Sequence, residues 1–363
     1  MSGKTFLWLP LCCLLLCACG QQGGQGRMPG RFVSDILADR SRPERGLLAA
    51  HGEPDRYGTI CLAGSPDACR ILADMLCAYD RFDNVSGAFH ADGLPDFSGE
   101  TLAVVCDEAY APYAAMLNDG REEQLRTIAV HHALSALDTV MHASRYDWAG
   151  LRRKVSSKML VLCDPLLCAY GKFDIDTLFA SFSCPVPVLS SLDLMMDAVP
   201  PVSGRGVNAG VLCERQFVGS GVYAMALQRR AAPGMFPTCF AAEADSAAVL
   251  RTFLDAYAAA GETRPLDVLL VDDARVDIGL LAEELADMQD VSCALSLQYG
   301  KYLASEFRII ASRELLAQAC YRTLRVNNIF THYICGPKAE FYVTVPPLDE
   351  DAGGFMLVPY VQD

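Results

Sequence analysis

What most limits the fold of this chain is an alternation of short apolar runs with longer amphipathic ones, kept up from Thr59 to Val326. The apolar runs are Thr59–Ala63, Thr101–Cys106, Lys158–Cys163, Pro187–Leu189, Val207–Cys213, Phe236–Phe240, Leu266–Val271 and Phe307–Ile310. Most carry apolar residues at consecutive positions rather than at every second one. That is the pattern of a strand covered on both faces, as in a parallel sheet. Between these runs apolar residues return at helical spacing, as in Ala68–Tyr79 with Ile71, Leu72, Met75, Leu76 and Tyr79. Helices are likewise predicted over Arg121–His142, Ile175–Ser181, Leu192–Val199, Gly221–Arg230, Ser246–Ala260, Val276–Met288 and Arg313–Val326, with a helical lead-in over Phe32–Ala50. Strands joined by helices build βαβ units and parallel sheets.

A chain of 363 residues exceeds the length at which a single core goes on growing. The best boundary is Pro200-Pro201-Val202-Ser203-Gly204-Arg205-Gly206, whose composition suits a linker. It divides an N-terminal α/β lobe at residues 31–200 from a C-terminal α/β lobe at residues 201–363. The expected fold is therefore α/β, with two Rossmann-like lobes, mainly parallel sheets and a cleft between them. Phe330–Val345 and Phe355–Tyr360 read as an extended, aromatic-rich tail of the second lobe.

The first residues are of another kind. Lys4 precedes an apolar run from Phe6 to Leu16, broken only by Pro10. A membrane-spanning helix needs about 20 apolar residues; this run has the length of a secretory signal core. It ends in Leu16-Cys17-Ala18-Cys19, which resembles the lipobox of bacterial lipoproteins. The resemblance implies that residues 1–18 are a cleaved signal peptide and that Cys19 carries a lipid. The protein would then be anchored in a bacterial cell envelope, outside the cytoplasm. Residues 19–30, with their Gly/Gln-rich stretch GQQGGQG at 20–26, suit a flexible tether.

The formal charge is −14, or −15 once Lys4 leaves with the signal. Taken as a whole, such a surface disfavours nucleic acid and anionic lipid. Of the 16 cysteines, Cys12, Cys13 and Cys17 lie in the signal and Cys19 in the lipobox, leaving 12 in the body. Cys61, Cys106, Cys163 and Cys213 lie in or beside strand-like runs, and Cys69 and Cys77 in a helical pattern. Cysteine packs there as a small hydrophobe, so free thiols are expected. No CxxC pair or zinc-type Cys/His spacing occurs, and neither a metal nor a cofactor is expected.

Four strand-like runs end in acid: Cys106-Asp107-Glu108, Cys163-Asp164, Cys213-Glu214 and Val271-Asp272-Asp273. Open parallel sheets bind ligands outside the carboxyl ends of their strands. Asp107, Asp164, Glu214 and Asp272 are therefore the candidate ligand-binding residues, joined by Tyr110 from the segment Asp107–Tyr113. Clustered carboxylates suit a cationic solute, a hard metal ion or acid–base chemistry. The competing reading is that each acid merely caps the helix after it.

Cys106 and Cys213 each close a strand, one in each half. This is similar to the two-lobed cofactor-independent amino-acid racemases, which use a cysteine from each lobe as paired acid and base. The flanks here, Asp107-Glu108-Ala109 and Glu214-Arg215-Gln216, depart from that family's motifs, and buried packing explains both cysteines as well. His131, His132 and His142 read as structural or surface residues. No GxSxG elbow is present. Two lobes behind an export signal resemble the type I periplasmic solute-binding proteins, which implies a small-molecule ligand in the cleft and a transport partner. The leading expectation is a lipid-anchored extracytoplasmic binding protein for a small polar solute. The alternatives are a cleft enzyme, either a hydrolase or a cofactor-independent racemase, and a non-catalytic cell-envelope interaction protein.

Overall fold

The computed structural model describes residues 27–360, apart from 54, 148, 151, 203, 245–247 and 349–353. Cys19, the expected signal peptide and most of the expected tether lie outside the described residues. In chain order the first lobe runs α1 (Arg31–Ala38), α2 (Pro43–Ala49), β1 (Thr59–Gly64), α3 (Pro66–Ala78), β2 (Thr101–Cys106), α4 (Tyr113–Asn118) and α5 (Glu122–Leu137). A small ribbon, β3 (Val140–Met141) with β4 (Arg152–Arg153), precedes β5 (Ser157–Leu162), α6 (Pro165–Ser181), β6 (Val188–Ser190) and α7 (Ser191–Ala198). The second lobe runs β7 (Asn208–Cys213), α8 (Val222–Arg230), β8 (Thr238–Glu243), α9 (Val249–Ala259), β9 (Leu266–Val271), α10 (Ile278–Gln289), α11 (Ala294–Tyr299) and β10 (Leu303–Ala311). The chain closes with α12 (Ser312–Val326), β11 (Lys338–Val345) and β12 (Met356–Pro359).

The protein is thus α/β with two main sheets, ordered β12-β11-β2-β1-β5-β6 and β10-β9-β7-β8. Every described pairing in them is parallel except β11 with β12. The continuous apolar runs have their expected cause: β1, β5, β7 and β9 are buried at every residue. Each lies inside its sheet, with helices on both faces.

The expected boundaries of the second lobe need correction. The segment from Ser312 onward belongs to the first lobe. Helix α12 packs Leu316, Ala317, Cys320, Tyr321 and Leu324 into the core formed by Ile60, Leu62, Leu102 and Val104. Strand β11 pairs with β2 in register Lys338↔Thr101 to Val343↔Cys106. The physical reason is the open edge of β2, whose N–H and C=O groups need partners. Strand β11 satisfies them, with Tyr342 entering one core and Val343 the other. The chain therefore crosses between lobes twice, once through residues 199–207 and again at Ala311–Ser312.

Helix α6 also differs from expectation, being longer. It begins directly after Asp164, with Pro165 in its first turn, a position proline favours. Leu166, Leu167, Cys168 and Ala169 are buried in succession, so this turn has no amphipathic period to reveal it. Gly171 lies where a Cβ would come within 2.0 Å of the Ala129 Cβ; its lack of a side chain lets α5 and α6 approach. One core runs on from this helix pair to Val211, Tyr223 and Leu270 of the second lobe, so the lobes are packed together. The twelve cysteines of the described body are all free. No helix among the described residues is long and apolar enough to cross a membrane.

Candidate functional site

In each lobe the first strand lies between the second and the third: β1 between β2 and β5, β7 between β8 and β9. The winding direction reverses at the pairs β1/β5 and β7/β9. Ligand crevices of open α/β sheets lie outside the carboxyl ends of such pairs. Asp164 follows β5, Glu214 follows β7, and Asp272 follows β9. Three of the four candidate acids therefore stand at the two reversal points.

Asp164 is 1% exposed. Its Oδ1 caps α6, accepting from the Leu166 N–H at 2.8 Å and the Leu167 N–H at 3.4 Å. Its Oδ2 is buried and has no hydrogen-bond partner among the described residues. Gly64, at the end of β1, makes this placement possible: a Cβ there would come within 3.3 Å of the Asp164 Cβ and N. Burial pushes the Asp164 carboxyl up to about 8, and the charges of Glu214 and Asp272 in the other lobe act in the same direction. Its two helix-capping bonds oppose the rise.

Asp272 is 9% exposed and accepts a hydrogen bond from the Tyr223 hydroxyl at 2.8 Å. Burial pushes it up to about 7; bonds from Ser312 and Tyr223 favour its ionised form, while Glu214 and Asp273 oppose it. Glu214 accepts from the Gln216 side-chain amide at 2.8 Å. It too is raised, by burial first and then by Asp273. The charge of Arg275 acts on Glu214 in the opposite sense, and that guanidinium is held by Asp273 at 2.7 and 2.9 Å. The negative charges of Glu214 and Asp272 thus act on Asp164 across the lobe boundary.

Asp107 is partnered differently. It is fully buried and accepts from the Tyr113 hydroxyl at 2.8 Å, His132 Nε2 at 3.0 Å and the Thr344 hydroxyl at 2.6 Å. The Ala109 and Tyr110 backbone N–H groups donate to it as well. Burial works against its charge, but the bonds from His132, Thr344 and Tyr113 outweigh it and hold the carboxyl below its ordinary value. Both oxygens are used internally, clamping β2, α5 and the returning β11 together. Tyr110 is partly buried, and its hydroxyl donates to the Gly354 carbonyl at 2.5 Å; it ties down the C-terminal segment. Asp107 and Tyr110 thus differ from Asp164 in having their side-chain oxygens engaged within the protein.

Sequence reasoning missed Tyr223 and Ser312, which bind Asp272, and the roles of Tyr113 and His132. Ser312 does open the helix after a strand, the same signal that marked the acids. Tyr223 follows the Gly219-Ser220-Gly221 turn after β7, but only its packing brings it to Asp272. Cys106 and Cys213 lie in separate layers: Cys106 packs beneath α3 and α12, Cys213 in the core shared by the lobes. Burial pushes the Cys106 thiol up to about 11 and raises Cys213 further. Neither is poised as a thiolate near neutral pH. Among the described residues no group of three or more His, Cys, Asp or Glu side chains is arranged to hold a metal ion.

No family profile and no curated protein matches the chain. Solved structures do. A glutamate racemase from Bacillus anthracis is 15% identical, with a TM-score of 0.47, covering 80% of this chain and 90% of its own. The glutamate racemase of Francisella tularensis, in complex with D-glutamate, is 13% identical with a TM-score of 0.46, covering 81% and 90%. That of Thermus thermophilus, with beta-chloro-D-alanine, is 14% identical with a TM-score of 0.46, covering 82% and 91%. The fold assignment rests on the strand order of this chain itself.

Proposed function

We propose that this protein is a lipid-anchored cell-envelope enzyme that moves protons on a small polar solute carrying a positive charge. Its acid–base pair would be Asp164 and Asp272. The observation that carries this reading is the Asp164 side chain, buried, with one oxygen unpartnered among the described residues and subject to the charges of Glu214 and Asp272 of the other lobe. A carboxyl raised to about 8 is largely protonated at neutral pH and can donate. Its neighbour near 7, steadied as a carboxylate by the Tyr223 and Ser312 hydroxyls, can accept. Two carboxyls whose surroundings tune them close to working pH suit general acid–base catalysis. In the reaction Asp272 takes a proton from an acidic position of the solute, Asp164 delivers one, and both return to their first state through solvent.

The solute's class follows from charge. A protonated amine would be favoured beside Asp272 and Glu214, whose surroundings add the charge of Asp273 and one cation, Arg275, itself paired with Asp273. Access requires the lobes to part, and the two crossings, at residues 199–207 and Ala311–Ser312, are the natural hinges. The anchor rests on the lipobox at Cys19. A second reading, a binding protein without chemistry, uses the same carboxylates and differs only in turnover.

The test is proton exchange in heavy water. The folded protein is incubated with amino acids, amino sugars and polyamines, and loss of carbon-bound proton signals is followed by NMR. Exchange is expected for at least one class and should vanish in Asp164→Asn. Thermal stabilisation by a solute without any exchange would favour the binding protein; neither exchange nor stabilisation from any class would sink the proposal. Separately, acyl labelling should disappear in Cys19→Ala.

A further inference from the structure

A cavity lies between the lobes, lined by Lys172 and Phe173 of α6, Asp193 of α7, Arg229 and Arg230 of α8, and Arg27 from the segment before α1. Its volume is about 230 Å³, smaller than the roughly 300–1,000 Å³ of sites for drug-sized ligands.

Its charge runs against that of the whole protein. Four cationic side chains, Arg27, Lys172, Arg229 and Arg230, line it against the carboxylates of Asp176 and Asp193. Lys172 is paired with Asp176, and Arg230 with Asp193 and Asp197. Among the described residues the other two cations make no such ion pair. Arg27 donates to the carbonyls of Ala169 at 3.4 Å and Tyr170 at 3.0 Å and stacks over the Phe173 ring. The Asp174 carboxylate near it is held at both oxygens by Arg126, at 2.7 and 2.8 Å. Arg229 meets no carboxylate among the described residues; its guanidinium lies 3.2 Å from the Met225 sulfur. Burial and the charge of Arg229 both weaken the hold of Arg27 on its proton. Arg27 and Arg229 thus bring like charge to one groove, which an anion bound there would offset, although Asp174 and Glu122 already act on Arg27 in the opposite sense. The formal charge of −14 does not cancel this, because charges beyond about 8 Å are screened at physiological salt.

The position of Arg27 identifies the source of that anion. It stands eight residues after Cys19, so the intervening chain spans at most about 28 Å. If Cys19 holds a lipid, the groove mouth is kept within that distance of a membrane surface. We propose that the groove binds the phosphate of an anionic lipid headgroup, with Arg27 and Arg229 as its chief donors. A guanidinium fork suits a phosphate's oxygens. Because Arg27 and Lys172 belong to the first lobe and Arg229 and Arg230 to the second, an occupied groove also bridges the lobes. The choice of a membrane source, but not the anion site itself, rests on the Cys19 anchor.

The test uses the mature chain from residue 19 with Cys19→Ser, so that no acyl group contributes. It should sediment with vesicles of phosphatidylglycerol in phosphatidylcholine, and not with phosphatidylcholine alone. Arg27→Gln with Arg229→Gln should weaken that binding at least tenfold while melting as a folded protein. The single Arg229→Gln variant, at an exposed position, should give an intermediate loss. Arg152→Gln with Arg153→Gln, also exposed and equal in charge change, should leave binding intact; equal loss in both double variants would overturn the site. Stabilisation by glycerol phosphate in solution without vesicle binding would overturn the lipid source. Binding of neither probe would overturn the proposal entirely. Vesicle binding together with absent acyl labelling of the native chain would instead remove the anchor and keep the groove.

Discussion

The carboxyl ends of β2 and β5 invite comparison. Each is an apolar parallel strand running into Cys-Asp, Cys106-Asp107 in one and Cys163-Asp164 in the other, and each aspartate is buried. Yet Asp107 is held below its ordinary value and Asp164 is pushed up to about 8. Asp107 receives three side-chain donors and two backbone N–H groups. Asp164 receives only the first N–H groups of its own helix and faces other acids. Burial alone therefore does not decide what a strand-end acid does. Its effect depends on whether the surroundings supply donors or further negative charge.

The largest effect should come from breaking the satisfied end. Asp107→Ala leaves three buried donors without their acceptor and is expected to destabilise the fold by about 3–5 kcal/mol in urea denaturation. The native acid's contribution has a definite pH signature. Its folded value is lowered, so the stability is present above the unfolded value of 3.8 and is lost as pH falls through the lower folded value.

Asp164→Asn should act in the opposite direction. Its folded value is raised, so its protonated form stabilises the fold fully below 3.8, and that stability is lost as pH rises toward about 8. Asparagine caps a helix as well as aspartate and cannot ionise. The variant should therefore be more stable than the native protein at pH 8, by several kcal/mol, read as a higher melting temperature, and match it near pH 4. A native melting temperature that is flat across this range would break the contrast between the two ends.

Tyr223→Phe is a finer probe. It removes one hydroxyl donor from Asp272 and should raise that carboxyl from about 7 by roughly one unit, equivalent to about 1.4 kcal/mol, as read by carboxyl NMR titration. The smallest effect is expected at Glu108, next to Asp107 in sequence. Its ion pair with Arg70, 3.2 Å long, is open to solvent. Glu108→Gln should change stability by less than about 1 kcal/mol; a larger change would mean that the whole β2 terminus, and not Asp107 alone, acts as the clamp.

Much of the fold was legible in the sequence, for a plain reason. Buried parallel strands must be apolar on both faces, so β1, β2, β5, β7 and β9 announce themselves within a residue or two. A helix with one apolar stripe, such as α3, does the same. The start of α6 did not, because its first turn is buried all round. The destination of the C-terminal segment did not either: Phe341 to Val345 would suit any open strand edge, and no local signal says whether that edge belongs to β2 or to the second sheet.

The candidate site divides along the same line. Sequence by itself determined that acids follow the strands, that the cysteines of the buried strands, such as Cys61, Cys106 and Cys213, pack as small hydrophobes, and that the chain is long enough for two α/β lobes. These are properties of adjacent residues and of length. Tertiary structure alone decided that β1 lies between β2 and β5, and β7 between β8 and β9. That order sets Asp164, Glu214 and Asp272 at the reversal points and sends Asp107 into the core with His132 and Thr344. Strand order depends on which edges and faces find partners across the whole molecule, and the charge of a buried acid depends on the groups those choices bring beside it.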